Sequence, residues 1–179
     1  MLQKYNKWTV ARIFFDDPYP EGGGFGLREL SRKTDLAPTS VKRYLTELES
    51  KGFVKQARHR AQKIPLYSAN VESERYIFYK KIHMLTSLVE SDLLSFLTET
   101  CQPGMIILFG PAAKGEYTRT SDIDLYVQCK ERMLNLKPFE KKLGRSIHVL
   151  FAEQFDELSP ELKNNLINGV KLQGYLKVF

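Results

Sequence analysis

The sequence predicts an α+β chain in two parts, and three observations carry that reading. Three short segments with helical apolar spacing precede two strand-like runs set around a basic loop. Beyond residue 100, continuous apolar runs suited to buried strands are separated by glycine-marked turns. The net charge of +6 is also uneven: residues 1–70 hold 13 Lys/Arg against 7 Asp/Glu, whereas residues 71–179 hold 14 of each. Such asymmetry points to a nucleic-acid-facing part joined to a neutral one.

The bulk values fit that division. A chain of 179 residues with 42% hydrophobic and 27% charged residues suits one large or two small globular domains. The opening MLQKYNKWTV has no long apolar run, so neither a signal peptide nor a membrane span is expected. Cys101 and Cys129 stand alone, without a CxxC or a His-rich tract. That pattern argues against zinc and for a reduced, cytoplasmic setting.

The elements of the first part follow in order. In NKWTVARIFFDDP, Trp8, Val10, Ala11, Phe14 and Phe15 recur close to a helical period, and Pro18 stops the run. PYPEGGG is too rich in Pro and Gly for regular structure. LRELSRKT predicts a short helix with Leu27 and Leu30 inward, and DLAP makes the turn. Pro38 suits the first position of the next helix, PTSVKRYLTELESKG, which sets Val41, Leu45 and Leu48 on one side and ends at Gly52. Thr39, Ser40, Lys42 and Arg43 lie off that stripe, near the helix start. FVKQA and IPLYSA then read as strands, joined by RHRAQK.

Three helices followed by a basic hairpin is the order of a winged helix-turn-helix, and LRELSRKTDLAPTSVKRYLTELESKGFV resembles that family, seen in many prokaryotic regulators. In this geometry the second helix of the pair enters the major groove with its N-terminal side chains at the base edges. Thr39, Ser40, Lys42 and Arg43 are therefore the candidate DNA contacts, with Arg58, Arg60 and Lys63 of the hairpin meeting phosphate. His59, alone in a basic loop, reads as a surface residue.

Residues 71–100 predict connecting helices. ESERYIFYKKIHMLTSLVESDLLSFLTET lacks Gly and Pro, and Tyr76, Tyr79, Ile82, His83, Leu85 and Leu88 are candidate packing positions, followed by Leu93, Leu94 and Leu97. Ser91 would cap a second helix after a break near Val89. This segment is also the candidate contact of a homodimer.

The last part, 101–179, holds the densest chemical signal. MIILFG is a buried-strand run, GPAAKG a turn into a short helix, and DIDLYVQC a second strand. A strand's period of two places Asp122 and Asp124 on one face and Ile123 on the other. Two like charges side by side are costly without a compensating cation. They form a candidate site for magnesium, which favours hard oxygen ligands and completes its shell with water and phosphate.

FG, KG and then SDIDL resemble the DNA polymerase β-like nucleotidyltransferase superfamily, especially its small prokaryotic and archaeal members, in which a Gly-Ser pair precedes an Asp-apolar-Asp strand. The resemblance implies a C-terminal mixed sheet flanked by helices, binding a nucleoside triphosphate with Mg²⁺. It assigns Gly110 to the loop glycine, Lys114 to a phosphate-facing cation, Ser121 to the residue before the metal pair, and Asp122 and Asp124 to the catalytic, metal-binding carboxylates. Active relatives use one ion to activate the attacking hydroxyl and another to neutralise the triphosphate.

The sequence departs from this pattern at three places. Pro111 stands where Ser is usual, removing a hydroxyl and a backbone N–H. Ala112 occupies a position that is often basic, and on the strand RSIHVLFA the expected third carboxylate is His148. Imidazole is a poor magnesium ligand; His148 stays open between a base, a phosphate contact and a plain strand residue. Lys114 and Arg119 stay open between phosphate contacts and solvated surface charges. Beyond, a helix is expected from Ser159–Pro160 to Gly169, then a terminal strand GYLKVF.

Three functions fit these residues: Mg²⁺-dependent transfer of a nucleoside monophosphate to an acceptor, a DNA-binding transcriptional regulator that senses nucleotide, or an antitoxin-like protein acting on a toxin partner, as some relatives do.

Overall fold

Burial of one apolar stripe per helix organises the first part of the chain. The computed structural model describes residues 6–58 and 64–175, and the chain divides into two compact units, Met1–Lys80 and Lys81–Phe179. In the first unit, α1 (Asn6–Asp16), α2 (Leu27–Thr34) and α3 (Pro38–Ser50) surround one core. Val10, Ala11, Phe14 and Phe15 of α1 are buried with Leu30 of α2 and Val41, Leu45 and Leu48 of α3, as their spacing predicts. Trp8 and Leu27 pack at the margin of this core. Asp35, in the left-handed conformation at φ 55°, ends α2, and Pro38 starts α3 within its first turn. Ser31 holds the intervening turn by donating its hydroxyl to the Leu36 carbonyl at 2.5 Å.

A three-stranded antiparallel sheet closes this core. Its strands are β1 (Phe25–Gly26), β2 (Val54–Arg58) and β3 (Pro65–Ala69), in the order β1-β3-β2. The two-residue β1 falls where Phe25 leaves the PYPEGGG loop and pairs with Tyr67. Arg58 closes β2 opposite Pro65. His59, Arg60 and Lys63 lie outside the described residues, as does the side chain of Arg58.

α4 (Glu74–Glu90) runs through the division, its residues up to Lys80 counting with the first unit. There Tyr76 is buried and donates its hydroxyl to the Phe14 carbonyl at 2.6 Å. In the second unit Leu88 is buried, and α5 (Leu93–Cys101) buries Leu93 and Leu97. Ser91 sits at the break, its hydroxyl accepting the Leu93 N–H at 3.3 Å.

The second unit is built on the mixed sheet β6-β5-β4-β7, with β4 Met105–Phe109, β5 Ile123–Val127, β6 Ile147–Phe151 and β7 Val170–Gly174. β5 and β6 are parallel, while β4 is antiparallel to both β5 and β7. Period-two alternation splits the apolar residues between two faces. Ile106, Leu108, Ile123, Leu125 and Val127 pack with Leu88, Leu93, Leu97, Ala112 and Ala113. Met105, Ile107 and Tyr126 pack with Phe155 and Leu166. Helices thus flank a mixed sheet, the α+β class expected.

Two elements differ from the sequence reading. A strand that was not anticipated, β7, spans Val170–Gly174; of the expected GYLKVF, Gly174 ends β7 and Tyr175 lies in no regular element. The residues of β7 pair along β4 directly after α8 (Pro160–Ile167), and the remainder of GYLKVF, residues 176–179, lies outside the described residues. Between β5 and β6, α7 (Lys137–Leu143) was not anticipated; Pro138 in its first turn and Gly144 at φ 66° are its sequence signals.

Candidate functional site

On the first unit, the candidate nucleic-acid face is the start of α3. Val41 and Leu45 are fully buried, which turns Thr39, Lys42 and Arg43 outward and leaves Ser40 half-buried. The Arg43 guanidinium lies over the Tyr44 ring at 4.9 Å and donates to its hydroxyl at 3.1 Å. The acidic Glu47 nearby is engaged by Lys7 at 2.8 Å, and that bond holds its carboxyl below the usual range. The Glu47 carboxylate of this helix is therefore already paired with Lys7. On β2, by contrast, Lys55 is tied to Glu72 at 2.7 Å.

On the second unit, the turn from β4 into β5 gathers the other candidates. Phe109 is extended, and α6 (Gly110–Lys114) begins at once. Gly110 has φ 67°, and a Cβ there would stand 2.5 Å from Asp124 Oδ2. Only glycine permits this approach of the loop to the carboxylate. Pro111 is accommodated in the first helical turn, where a backbone N–H is not needed by the helix. Ala112 and Ala113 are buried against the sheet, so the position taken by Ala112 has no room to send a cation outward. Lys114 is exposed in the last turn of α6.

A locked turn delivers the two aspartates. Ser121 accepts the Thr118 N–H on its hydroxyl at 2.9 Å and gives its own N–H to the Thr118 carbonyl at 3.3 Å. Arg145 donates its guanidinium to the Thr118 carbonyl and, at 3.1 Å, to the Ser121 carbonyl, while stacking 4.7 Å from the buried Tyr117 ring. Ser121 is thus occupied in shaping the entry to β5. Arg145 was missed at the sequence level, because its acceptors are main-chain carbonyls 24 and 27 residues away.

Asp124 pairs in register with Phe109 on one side and with His148 of β6 on the other. Ile123 and Ile147 are buried in the opposite direction, so Asp122, Asp124 and His148 share one face. His148 Nδ1 lies 3.8 Å from Asp122 Oδ2 and 3.8 Å from Asp124 Oδ1. Side-chain exposure is 67% for His148, 42% for Asp122 and 26% for Asp124. Burial raises the Asp124 carboxyl above the ordinary range; the His148 charge works against that rise and Asp122 adds to it. Among the described residues, no group of three or more His, Cys, Asp or Glu side chains is arranged to hold a metal ion. The three groups face one another across an open site.

Comparison with known families finds one match within each unit. Residues 20–58 match the IclR helix-turn-helix domain, and residues 91–172 match the nucleotidyltransferase domain. No curated protein matches the chain. No helix among the described residues is long and apolar enough to cross a membrane.

Proposed function

We propose, from the matches of residues 20–58 to the IclR helix-turn-helix domain and of residues 91–172 to the nucleotidyltransferase domain, a DNA-bound regulator whose second half binds a nucleoside triphosphate as a signal rather than transferring it rapidly. The observation that carries this reading is His148, which stands in register with Asp124 where transfer chemistry needs a third carboxylate. Pro111 supports it, because a loop without that N–H has one donor fewer for a triphosphate.

The residues present fit one divalent cation rather than the magnesium pair of active relatives. Asp122 and Asp124 supply two hard oxygens from one strand face, and Gly110 leaves the space over Asp124 clear. They would hold the ion, which when bound would neutralise triphosphate charge. Within the chain, the turn clamped by Arg145 fixes where β5 begins, and Gly110 lets the loop backbone approach. Lys114 is the cation at the end of α6 available to phosphate. On the first unit, Thr39, Ser40, Lys42 and Arg43 are the proposed base-edge and phosphate contacts.

Retention of Gly110 beside Asp124 favours a second reading, transfer of a nucleoside monophosphate to an acceptor. One experiment separates the two. The full chain is incubated with nucleoside triphosphates labelled on the α-phosphate and a divalent cation, beside Asp122→Asn/Asp124→Asn. The regulator reading expects bound label that is lost on denaturation. Label that survives denaturation, on the protein or a co-purified acceptor, and exceeds the control would establish the transferase instead.

A further inference from the structure

We infer that Cys101 and Cys129 form a modification site: a thiol pair that a small-molecule disulfide such as oxidised glutathione converts into an intramolecular disulfide, tying the end of α5 to the end of β5. The inference stands apart from the nucleotide reading, because it uses neither the aspartates nor the DNA-facing helix.

Two periodicities bring the thiols together although they are far apart in sequence. On α5, Leu93, Leu97 and Cys101 recur at helical spacing and are all buried, so one face carries them. On β5, Ile123, Leu125 and Val127 alternate onto the same core, and Cys129, two residues further, packs against it as well. The chain passes from α5 into β4 at Met105, and β5 ends with Val127 opposite Ile106, so both cysteines stand at one end of the sheet. Main-chain bonds close that end: the Gly104 N–H donates to the Gln128 carbonyl at 3.0 Å, and the Gln128 N–H to the Met105 carbonyl at 2.9 Å. There neither cysteine is in a disulfide, and the two thiols meet in a side-chain hydrogen bond. Cys129 also donates its thiol to the Lys130 carbonyl at 3.2 Å.

Unequal access sets the order of events. Cys101 is buried, whereas Cys129 is partly open at the start of the irregular segment 128–136. Burial, and next the Cys101 thiol beside it, push the Cys129 thiol above its ordinary range, so at rest it stays protonated. Once deprotonated, the Cys129 sulfur attacks one sulfur of glutathione disulfide, whose S–S bond breaks as the first glutathione leaves and takes up a proton. The Cys101 sulfur, after losing its own proton, attacks Cys129 in the mixed disulfide and expels the second glutathione. The cysteines are thereby oxidised by two electrons, glutathione disulfide is reduced to two thiols, and the two cysteine protons end on them. The sulfurs must close to the about 2.05 Å of a disulfide. That movement falls on Cys129, whose main chain lies beyond the β4–β5 ladder. The closed link spans β4, α6 and β5, and so encloses the whole segment that carries Gly110, Asp122 and Asp124.

The test uses the full chain, first reduced and then held to equilibrium with an excess of oxidised glutathione. Alkylation in denaturant counts the remaining thiols, and mass spectrometry of the peptides locates any link. Wild-type protein is expected to lose both of its thiols, to retain no glutathione, and to yield one peptide pair joined through Cys101 and Cys129, all reversed by dithiothreitol. Its melting temperature, read by circular dichroism, is expected to rise by at least about 5 °C on oxidation. Cys101→Ser is expected to keep one glutathione on Cys129, and Cys129→Ser to take none, since Cys101 is buried. The wild-type peptide map decides the matter whether or not either variant folds. A glutathione that persists on wild-type Cys129, a link between two chains, thiols still unreacted in the folded protein, or an oxidised form that melts no higher than the reduced one would each overturn the inference.

Discussion

Gly110 couples backbone conformation to the acidic site at a single position. Its φ of 67° is one that L side chains rarely adopt, and its missing Cβ is what keeps the loop clear of Asp124 Oδ2. Gly110→Ala should therefore lower unfolding stability by about 1–3 kcal/mol, the usual cost of a left-handed non-glycine residue, and should displace the Asp124 carboxylate. Denaturant titration measures the first effect and carboxyl-carbon nuclear magnetic resonance of Asp124 the second; unchanged values for both would mean that the loop does not hold this conformation. Gly110, Asp122 and Asp124 were legible in the sequence, because a glycine after an apolar run and a period of two are local signals. The place of His148 beside them came from the family resemblance alone, since no local signal shows that β6 aligns beside β5 with His148 opposite Asp124. The engagement of Ser121 by Thr118 and Arg145 was hidden for a related reason: hydroxyls and guanidiniums that serve main-chain atoms leave no pattern in side-chain spacing.

Among the elements, α3 translates its sequence most directly into a surface. Three buried anchors spaced along one side fix its rotation, so Lys42 and Arg43 must face outward. Removing one phosphate-binding cation should reduce the slope of log affinity against log salt by about 0.9. Lys42→Ala/Arg43→Ala is thus expected to weaken DNA binding and flatten that slope by roughly 1–2, measured by fluorescence anisotropy at several salt concentrations. An unaltered slope would remove α3 from the interface. β3, central in the three-stranded sheet, carries a pH effect. Burial, aided by Glu49, raises the Tyr67 phenol above its ordinary value, so the fold favours the neutral form. Stability from this source is complete below the unfolded phenol's pKa and is lost as pH climbs through the raised native value. Tyr67→Phe should lose less stability than wild type between about pH 8 and pH 11, a window that spans the phenol's ordinary titration; denaturant titration at the two pH values decides the comparison. Helices α1 to α3 and strands β4 and β5 were readable because each buries a periodic stripe or a continuous run. α7 has seven residues and no fully buried one, so it imposes no strong period on its residues; in β7, Val170 and Leu172 pack on the core with Lys171 outward between them, an alternation too short to stand out in the sequence.

At the scale of the whole chain, the basic excess belongs to the residues before position 71 and the carboxylate–imidazole cluster to those after position 121. A regulator needs these two sites to communicate, and thermodynamics limits how. A nucleotide shifts DNA binding only by as much as its own affinity differs between the DNA-binding states. Coupling of this kind is reciprocal: if nucleotide changes DNA affinity by some factor, DNA must change nucleotide affinity by the same factor. For the proposed regulator, saturating nucleoside triphosphate with a divalent cation should shift DNA affinity at least about fivefold, at the lower end of typical couplings. Saturating DNA should then shift nucleotide affinity equally, with anisotropy reading one arm and calorimetry the other. Covalent transfer behaves differently, because a nucleotidylated chain keeps its altered DNA affinity after free nucleotide is washed away, and no reciprocal shift is required. Equal and reversible shifts therefore support a sensor. A shift that outlasts dialysis, and disappears in Asp122→Asn/Asp124→Asn, would instead mean that the two aspartates carry chemistry to completion despite His148.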